Sequence, residues 1–420
     1  MGRLRGWSVA ALFLIALPAG AWQEPPAEAA GKLPDAAEID SILRQLSEIT
    51  GFHVRRHLPF QLITREQVNA YVKNQIRHSV RPKDIYAEEL SLKKLGFVPA
   101  NFDLRQTTID LLTEQAAAFY DFHQKKLFIS DWAASTMRDE ALVHELAHAL
   151  ADQNFNIEKY LNKDPADAEE SLARQTVVEG QASWLTIEFA ARQAGKTLAD
   201  PAVARQYLQR EPDADDDTSF PVFSQAPLYL RATMLFPYVE GEEFQQAVVV
   251  RDGQSAFSQV FTKPPVSTSQ ILHPNRYFAG TKPDVPDLPK PAADMKPAVE
   301  GVFGEEDVEV LLRQYTTAAI ARGLAPEMAG GHYRVDAARK LPPKGKDRRT
   351  SLVFATEWRD ESSAEAFLNA YSTVIEKKWK SVDKGDQDAT HISGHSEDGY
   401  YRVDRKGKLV LSREGFPDKL

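Results

Sequence analysis

The pentapeptide HELAH places His144, Glu145 and His148 at a spacing that can support metal chemistry. On a helix, residues i and i+4 lie one turn apart on the same face, so the two imidazoles can bind a single ion. Zinc acidifies a bound water molecule, and a carboxylate beside it can accept the proton. We therefore predict one Zn²⁺ ion at His144 and His148, with Glu145 as general base. The alternative is a surface helix with two solvated histidines.

A catalytic zinc site also needs a third protein ligand, and the absence of cysteine restricts that ligand to histidine or a carboxylate. In one known zinc-binding pattern, a glycine lies three residues and a third histidine six residues after the second histidine. Here those two positions hold Ala151 and Asn154. We predict Glu179, which interrupts the apolar stretch VVEGQASW, where an unpaired carboxylate is costly. The alternative for Glu179 is an ion pair with Arg174.

Two other carboxylates, Glu169 and Glu170, are weaker candidates because they lie at the polar start of the same predicted helix. There Glu170 and Arg174 would form an i,i+4 surface pair. A glycine inside a helix costs about 1 kcal/mol relative to alanine, so Gly180 indicates a packing constraint. We expect Gly180 and Ala182 to let this helix approach the HELAH helix closely.

Two helices and a hairpin must position these residues. Apolar residues at helical spacing predict a helix over residues 136–152, around HELAH. A second helix, which carries Glu179, is predicted from Asp167 to about Gln193. Residues 116–121 and 127–129 have strand character and are joined by a polar turn, which predicts a β-hairpin just before the first helix.

Local signals also mark elements farther from HELAH. Helical spacing predicts a helix that begins at Asp35 and ends at Gly51. Thr64 and Gln67 form a capping-box pattern at the start of another helix. Residues 281–299 contain five prolines and no periodicity, which predicts a linker or an extended strap.

Strands mixed with helices predict a small α+β domain over residues 300–420. The fold class is therefore α+β: a mostly helical domain with a small antiparallel sheet over residues 35–280, followed by this smaller C-terminal domain. His391 and His395 have a metal-compatible spacing only in a helix, and the Ser-Gly pair between them argues against a helix. We interpret both as surface histidines. The role of the C-terminal domain stays open.

The N-terminus has the pattern of a secretory signal peptide. Two arginines precede an apolar run, and Ala19 and Ala21 fit the small-residue cleavage rule, which predicts removal of residues 1–21. Residues 22–34 are rich in proline, alanine and glutamate and are predicted to be a flexible leader. The protein is thus predicted to be exported, either to the periplasm or outside the cell. The alternative is an uncleaved N-terminal anchor.

The composition excludes two classes of partner. The formal net charge is -9, which provides no basic surface for nucleic acid. No segment after the signal peptide is long and apolar enough to cross a membrane, so we expect no membrane span after cleavage. The oligomeric state stays open.

The HELAH motif followed by Glu179-Gly180-x-Ala182 resembles the gluzincin clan, the thermolysin-like zinc peptidases. The order strand, HELAH helix, glutamate helix is similar to the core of that clan, over roughly residues 100–195. The stretch AAFYDFHQKKLFI…LVHELAHALADQ resembles, more narrowly, a group of uncharacterised exported bacterial metallopeptidases. The resemblance implies that residues 35–280 form a zincin-like catalytic domain.

In that clan an edge strand pairs with the backbone of the substrate. The resemblance assigns this role to four residues of the predicted hairpin, Ala117, Ala118, Phe119 and Tyr120. The mechanism also needs a donor to the developing oxyanion. We select His273 and Tyr277, in the stretch ILHPNRY, with Tyr120 and Tyr229 as further candidates.

The chain departs from the thermolysin pattern around the glutamate ligand. Thermolysin-like peptidases have Asn directly before this residue and Asp four residues after it, whereas Val178 and Ser183 occupy those positions here. A carboxylate that orients a metal-binding histidine must therefore come from elsewhere in the chain. Asp152 and Asp167 are the candidates.

These observations together predict a zinc-dependent peptidase that acts on peptides or proteins. Zinc is held by His144, His148 and Glu179, and Glu145 activates water and later passes the proton to the leaving amine. Two other functions remain open. One is a catalytically inactive, secreted binding or chaperone-like module with the same fold. The other is a zinc amidase that acts on the cell wall.

Overall fold

The computed structural model has an α+β fold, as predicted from the sequence. It describes residues 34–79, 81–115, 118–131, 135–162, 167–208, 220–340 and 348–417. The predicted signal peptide, the predicted leader up to residue 33 and Ala117 of the predicted substrate strand lie outside the described residues.

Helices dominate the chain before residue 281. In chain order, the elements described there are α1 (Ala36–Thr50), β1 (Phe60–Ile63), α2 (Arg65–Ser79), α3 (Pro82–Leu95), α4 (Leu104–Gln115), β2 (Ala118–Asp121), β3 (Lys126–Ser130), α5 (Ser135–Phe155), α6 (Ile157–Asn162), α7 (Ala168–Gln193), α8 (Pro201–Leu208), α9 (Pro221–Gln225), α10 (Leu228–Asp252), α11 (Ala256–Thr262), α12 (Thr268–Leu272) and α13 (Pro274–Ala279).

Strands dominate the remainder. The described elements are β4 (Met295–Val302), α14 (Glu305–Tyr315), α15 (Ala318–Leu324), β5 (Met328–Ala338), β6 (Thr350–Trp358), α16 (Glu361–Lys378), β7 (Val382–Gln387), β8 (His391–Ser396), β9 (Gly399–Lys406) and β10 (Leu409–Phe416).

Side-chain caps fix several helix ends where the sequence predicts them. Asp35 accepts a hydrogen bond from the backbone N–H of Glu38 at the start of α1. Gly51 ends that helix with a φ of 75°, a left-handed conformation that glycine adopts without strain. Thr64 and Gln67 exchange both bonds of a capping box at the start of α2.

The small sheet has the order β1-β3-β2, which leaves β2 at one edge. β2 and β3 are antiparallel and form the predicted hairpin. β1 pairs with β3 in parallel, so the sheet is mixed rather than wholly antiparallel as predicted. α5 packs against β2 and β3 and so places the HELAH residues beside the β2 edge.

Gly180 packs against a different helix from the one that the sequence predicts. A Cβ atom at Gly180 would lie 2.3 Å from the backbone of Gly241, so α10, rather than α5, makes the close contact with α7. A Cβ at Gly241 would in turn lie 2.7 Å from the carbonyl oxygen of Thr176. Two glycines that face each other let the two helix backbones touch, and this contact fixes α10 against the helix that carries Glu179.

The C-terminal sheet has seven strands in the order β4-β5-β6-β10-β9-β8-β7. α16 packs on β6, β9 and β10, while α3 packs on β4, β5 and β6. The sheet and the helical part share one hydrophobic core. The ring of Phe97 lies 4.1 Å from that of Tyr229 on α10 and 6.1 Å from that of Phe303 after β4.

The predicted linker over residues 281–299 extends too far, because β4 begins at Met295. β4 is an edge strand, where proline is tolerated, and its ladder shifts register between Pro297 and Val299. The preceding residues bind to β5. The backbone N–H of Asp284 donates to Ala329, and the Arg334 side chain donates to the carbonyl oxygen of Pro289 at 2.7 Å. This segment is therefore a strap that lies along the sheet.

A membrane-spanning helix is not found among the described residues, since none of their helices combines sufficient length with sufficient apolar character.

Candidate metal centre

His144, His148 and Glu179 converge on one point between α5 and α7. Nε2 of His144 lies 3.1 Å from Oε2 of Glu179, and Nε2 of His148 lies 3.2 Å from the same oxygen. The three side chains are buried, and their ligand atoms all lie within 4.8 Å of one another. Within the described chain this is the one His, Cys, Asp and Glu group found with that geometry. The predicted ligands are thus brought together.

The geometry and the donor set could hold a metal ion. With ligand bonds of about 2.0–2.1 Å, neighbouring ligands of a tetrahedral site are about 3.3 Å apart, close to the observed distances. Two neutral imidazoles and one carboxylate are a usual set for catalytic zinc, whereas magnesium and calcium prefer oxygen ligands. Burial alone would raise the pKa of Glu179, but the charge and hydrogen bonds of the two histidines hold it below its ordinary value.

The two histidines differ in how their surroundings shift their pKa values. Burial lowers the pKa of His144 below its ordinary value, against the effect of its hydrogen bond with Glu179. Burial alone would also lower the pKa of His148, but the charge of Glu179 and then its hydrogen bond raise it. Both shifts follow from enclosing two imidazoles beside a single carboxylate.

The alternative partner for Glu179 is engaged elsewhere. Arg174 forms the predicted i,i+4 ion pair with Glu170 and donates a second bond to the carbonyl oxygen of Tyr160. Glu169 is buried rather than at the surface, and it accepts hydrogen bonds from the backbone N–H and the hydroxyl of Thr268. Neither Glu169 nor Glu170 belongs to the ligand cluster.

Glu145 lies next to the cluster and is held by the edge strand. Its side chain is fully buried, and its Oε2 accepts a hydrogen bond of 2.6 Å from the backbone N–H of Tyr120 on β2. This bond fixes the position of the Glu145 carboxylate beside β2. Ala118, Phe119 and Tyr120 are buried and form β2, so they occupy the edge that the resemblance assigns to substrate.

Tyr238 is a further residue at the cluster, and the sequence interpretation did not identify it. Its ring stacks on that of His144 with a centroid distance of 5.9 Å. Burial raises the pKa of Tyr238 well above its ordinary value, and the charges of Glu179 and Glu145 raise it further. The phenol therefore stays protonated and lies near both carboxylates. Its position follows from the Gly180–Gly241 contact, three residues further along α10.

The oxyanion donors predicted from the sequence form their bonds at other places. His273 lies 2.6 Å from Glu305, and the Tyr277 hydroxyl donates to the carbonyl oxygen of Lys263 at 2.7 Å. The Tyr229 hydroxyl donates to Asp307. In this structure each of these three side chains thus bonds to a partner outside the ligand cluster. The fourth candidate, Tyr120, donates its hydroxyl to Asp152.

The carboxylates predicted to orient the histidines also have other roles. Asp152 accepts hydrogen bonds from the Tyr120 hydroxyl and from the backbone N–H of Ile157. Asp167 caps the N-terminus of α7, twelve residues before Glu179 (179 − 167 = 12), or about 18 Å along the helix axis. Asp167 is therefore too far away to orient either histidine.

His391 and His395 are not a metal pair, in agreement with their interpretation as surface residues. Both lie on β8, where four residues span about 13 Å. His395 is exposed, and His391 pairs with Asp388.

Comparison with known proteins bears on the C-terminal domain. Residues 297–419 match the model of a domain of unknown function, DUF8575. The match covers most of the seven-stranded sheet and α14–α16 and does not reach the candidate metal centre. Neither the curated proteins nor the solved structures that were compared with the chain gave a significant match.

Proposed function

We propose that this protein is a zinc-dependent peptidase of the gluzincin type, with His144, His148 and Glu179 as metal ligands. The observation that carries the proposal is the convergence of these three buried side chains, whose ligand atoms lie within 4.8 Å of one another. Glu145 directly follows His144 on the same helix. The order of the edge strand β2, α5 and α7 supports it. The predicted signal peptide further suggests that the protein acts outside the cytoplasm.

Zinc, when bound, would supply Lewis acidity to the attacking water and to the scissile carbonyl. Glu145 would hold the proton taken from water on its carboxylate and later deliver it to the leaving amine. The bond from the Tyr120 N–H occupies Oε2, which fixes the rotamer of Glu145. A fixed base needs less reorganisation when the proton moves, and this lowers the barrier.

Tyr238, whose hydroxyl bonds with Glu179 in this structure, would donate a hydrogen bond to the oxyanion that develops on the substrate. Its hydroxyl is kept protonated by burial and by two neighbouring carboxylates. It lies on α10, whereas the base and the proposed metal ligands lie on α5 and α7. A donor in a buried site stabilises an oxyanion more strongly than in water.

The test of the proposed function is a matched pair of variants assayed on casein. Glu145→Gln keeps the shape and the acceptor for the Tyr120 N–H but cannot accept a proton, so we expect the loss of hydrolysis with zinc retained. Glu170→Gln, a carboxamide change in the neighbouring helix, should keep activity. Full hydrolysis by Glu145→Gln would refute the proposed role.

The burial of the site favours a second candidate function, a metal-binding module without turnover. His144 is 5% exposed and Glu145 is 0% exposed, which leaves little access for a peptide in this conformation. Bound zinc with no hydrolysis of casein, of a peptide library or of cell-wall peptides would identify this second function. Hydrolysis of cell-wall peptides alone would instead identify the amidase.

A further inference from the structure

Two carboxylates of α5, those of Glu145 and Asp152, both accept hydrogen bonds from Tyr120 of the edge strand β2. The backbone N–H of Tyr120 donates to Glu145 at 2.6 Å, and its hydroxyl donates to Asp152 at 2.9 Å. Glu145 and Asp152 are seven residues apart (152 − 145 = 7), so they lie about two helical turns apart on one face of α5. The strand therefore cannot slide along the helix without breaking one of these bonds.

Asp152 also fixes the turn that follows β2. Its Oδ1 accepts a bond of 3.0 Å from the Lys125 ammonium group and one of 2.9 Å from the backbone N–H of Ile157. Lys125 has a φ of 55°, a left-handed conformation that a residue with a side chain rarely adopts. The Asp152 side chain is fully buried. A buried carboxylate with several donors is held firmly, and through Tyr120 and Lys125 it ties the strand and the turn of the hairpin to α5.

The two bonds from Tyr120 to Glu145 and Asp152, called the clamp below, determine which backbone groups β2 presents at its free edge. The Tyr120 N–H points away from β3, because it bonds to Glu145. Alternate residues of a strand direct their backbone groups to the same side, so Ala118 presents its N–H and C=O to the free edge. Ala118 and Tyr120 are buried in this conformation, so a peptide that pairs with Ala118 and with the carbonyl oxygen of Tyr120 must first gain access to this edge. The clamp then sets the distance between that peptide and Glu145.

We propose that Tyr120 and Asp152 are positioning residues that hold the substrate-binding edge of β2 in register with Glu145. This inference rests on the proposed peptidase function. The bond between the Tyr120 hydroxyl and Asp152 can be tested separately, because Tyr120→Phe deletes that bond and keeps the ring, whose centroid lies 5.1 Å from that of Phe122.

The chain offers a matched control for this deletion. The Tyr71 hydroxyl donates to Asp121 Oδ2 at 2.8 Å, so it too is a tyrosine–aspartate bond at β2. Tyr71 lies on α2, however, and its bond does not connect β2 to α5. Tyr71→Phe therefore removes a bond of the same kind and length without releasing the clamp.

The experiment compares Tyr120→Phe with Tyr71→Phe by two readouts. The first is hydrogen exchange of the amides in residues 118–130. The second is kcat/KM on a quenched fluorescent peptide and on a version extended by three residues at each end. We expect Tyr120→Phe to speed exchange in β2 and to lower kcat/KM for the extended peptide about tenfold, with much less effect on the short one. Tyr71→Phe should stay within about twofold of the wild type for both peptides, and both variants should retain zinc.

The outcomes separate the two proposals. If Tyr120→Phe matches Tyr71→Phe in exchange and in kcat/KM while the wild type cleaves both peptides, the positioning role is wrong and the peptidase stands. If the wild type cleaves neither peptide, the proposed function fails, and the positioning role fails with it. If Tyr120→Phe does not fold, Asp152→Asn replaces it and should weaken cleavage of the extended peptide more than that of the short one; an equal effect on both peptides would contradict the clamp.

Discussion

We expect the variant Glu169→Gln to be more stable than the wild type at neutral and alkaline pH. Glu169 lies in the first turn of α7 and is 5% exposed. The carboxyl group of Glu169 fills the space that a side chain at Gly304 would occupy, since a Cβ at Gly304 would lie 2.1 Å from Glu169 Oε2. Burial, and next the charge of Asp307, raise the pKa of Glu169 from 4.5 to about 8. Burial also raises the pKa of Asp307, to about 6.

The direction and the size of this effect on stability follow from the difference in the pKa of Glu169 between the folded and the unfolded chain. Between pH 4.5 and about 8 the folded chain binds a proton at Glu169 that the unfolded chain has lost, so the stability falls as the pH rises through this window. At pH 7 the cost is on the order of 1.36 × (7 − 4.5), or about 3 kcal/mol. Glutamine has the same shape, keeps an oxygen to accept from Thr268 and never ionises. We therefore expect a gain of about 3 kcal/mol at pH 7, a larger gain at pH 9 and almost none at pH 4.

The assay is urea unfolding followed by circular dichroism at pH 4, 7 and 9, with a chelator present so that metal occupancy does not change with pH. The matched control is Glu170→Gln in the same helical turn. It breaks the ion pair with Arg174 and should lower the stability at pH 7. A stability difference between Glu169→Gln and the wild type that is the same at all three pH values would refute the reasoning.

Two other predictions concern residues of α10, Gly241 and Tyr238. A Cβ at Gly241 would lie 2.7 Å from the backbone of Gly180, so Gly241→Ala should lower the free energy of unfolding by about 1–3 kcal/mol, measured by thermal or urea unfolding. Gly323→Ala on α15 is the control, because a Cβ there meets nothing within 4 Å. It should raise stability by up to about 1 kcal/mol. A Gly241→Ala protein as stable as the wild type would contradict the packing argument. Tyr238→Phe should lower kcat about 10- to 100-fold while zinc content stays unchanged, and an unchanged kcat would remove Tyr238 from the mechanism.

Much of the candidate metal centre was predictable from local sequence. The HELAH spacing places two imidazoles on one helix face wherever that helix forms. Glu179 could be selected because a carboxylate within a long apolar run needs a partner, and the structure provides two histidines. Helix ends at Asp35, Gly51 and Thr64 were predictable because capping involves only neighbouring residues.

The features that the sequence did not reveal depend on contacts between distant segments. Gly180 signalled a close approach, but the identity of the opposing helix depends on Gly241, sixty-one residues further along the chain (241 − 180 = 61). Tyr238 is one of thirteen tyrosines, and no local pattern distinguishes it from Tyr229 or Tyr277. Parallel pairing of β1 with β3 is likewise a long-range choice, since hairpin signals predict only antiparallel neighbours.

The proline-rich segment before the C-terminal domain also depends on contacts that composition does not reveal. Proline-rich sequence predicts a linker, yet Asp284 and Pro289 bind to β5, and Pro297 lies in an edge strand. Proline excludes a central strand but is compatible with an edge. Composition alone therefore could not separate a free linker from a strap.

Zinc content measured on the purified protein tests the central claim most directly. We predict one zinc ion per chain in the wild type and its loss in Glu179→Ala, because a site reduced to two histidines loses the charged ligand that Nε2 of His144 and His148 both face. Glu170→Ala, the neighbouring change outside the cluster, should retain the ion. A wild-type protein without zinc after exposure to excess zinc and desalting, or a Glu179→Ala protein that binds zinc as tightly as the wild type, would contradict the account.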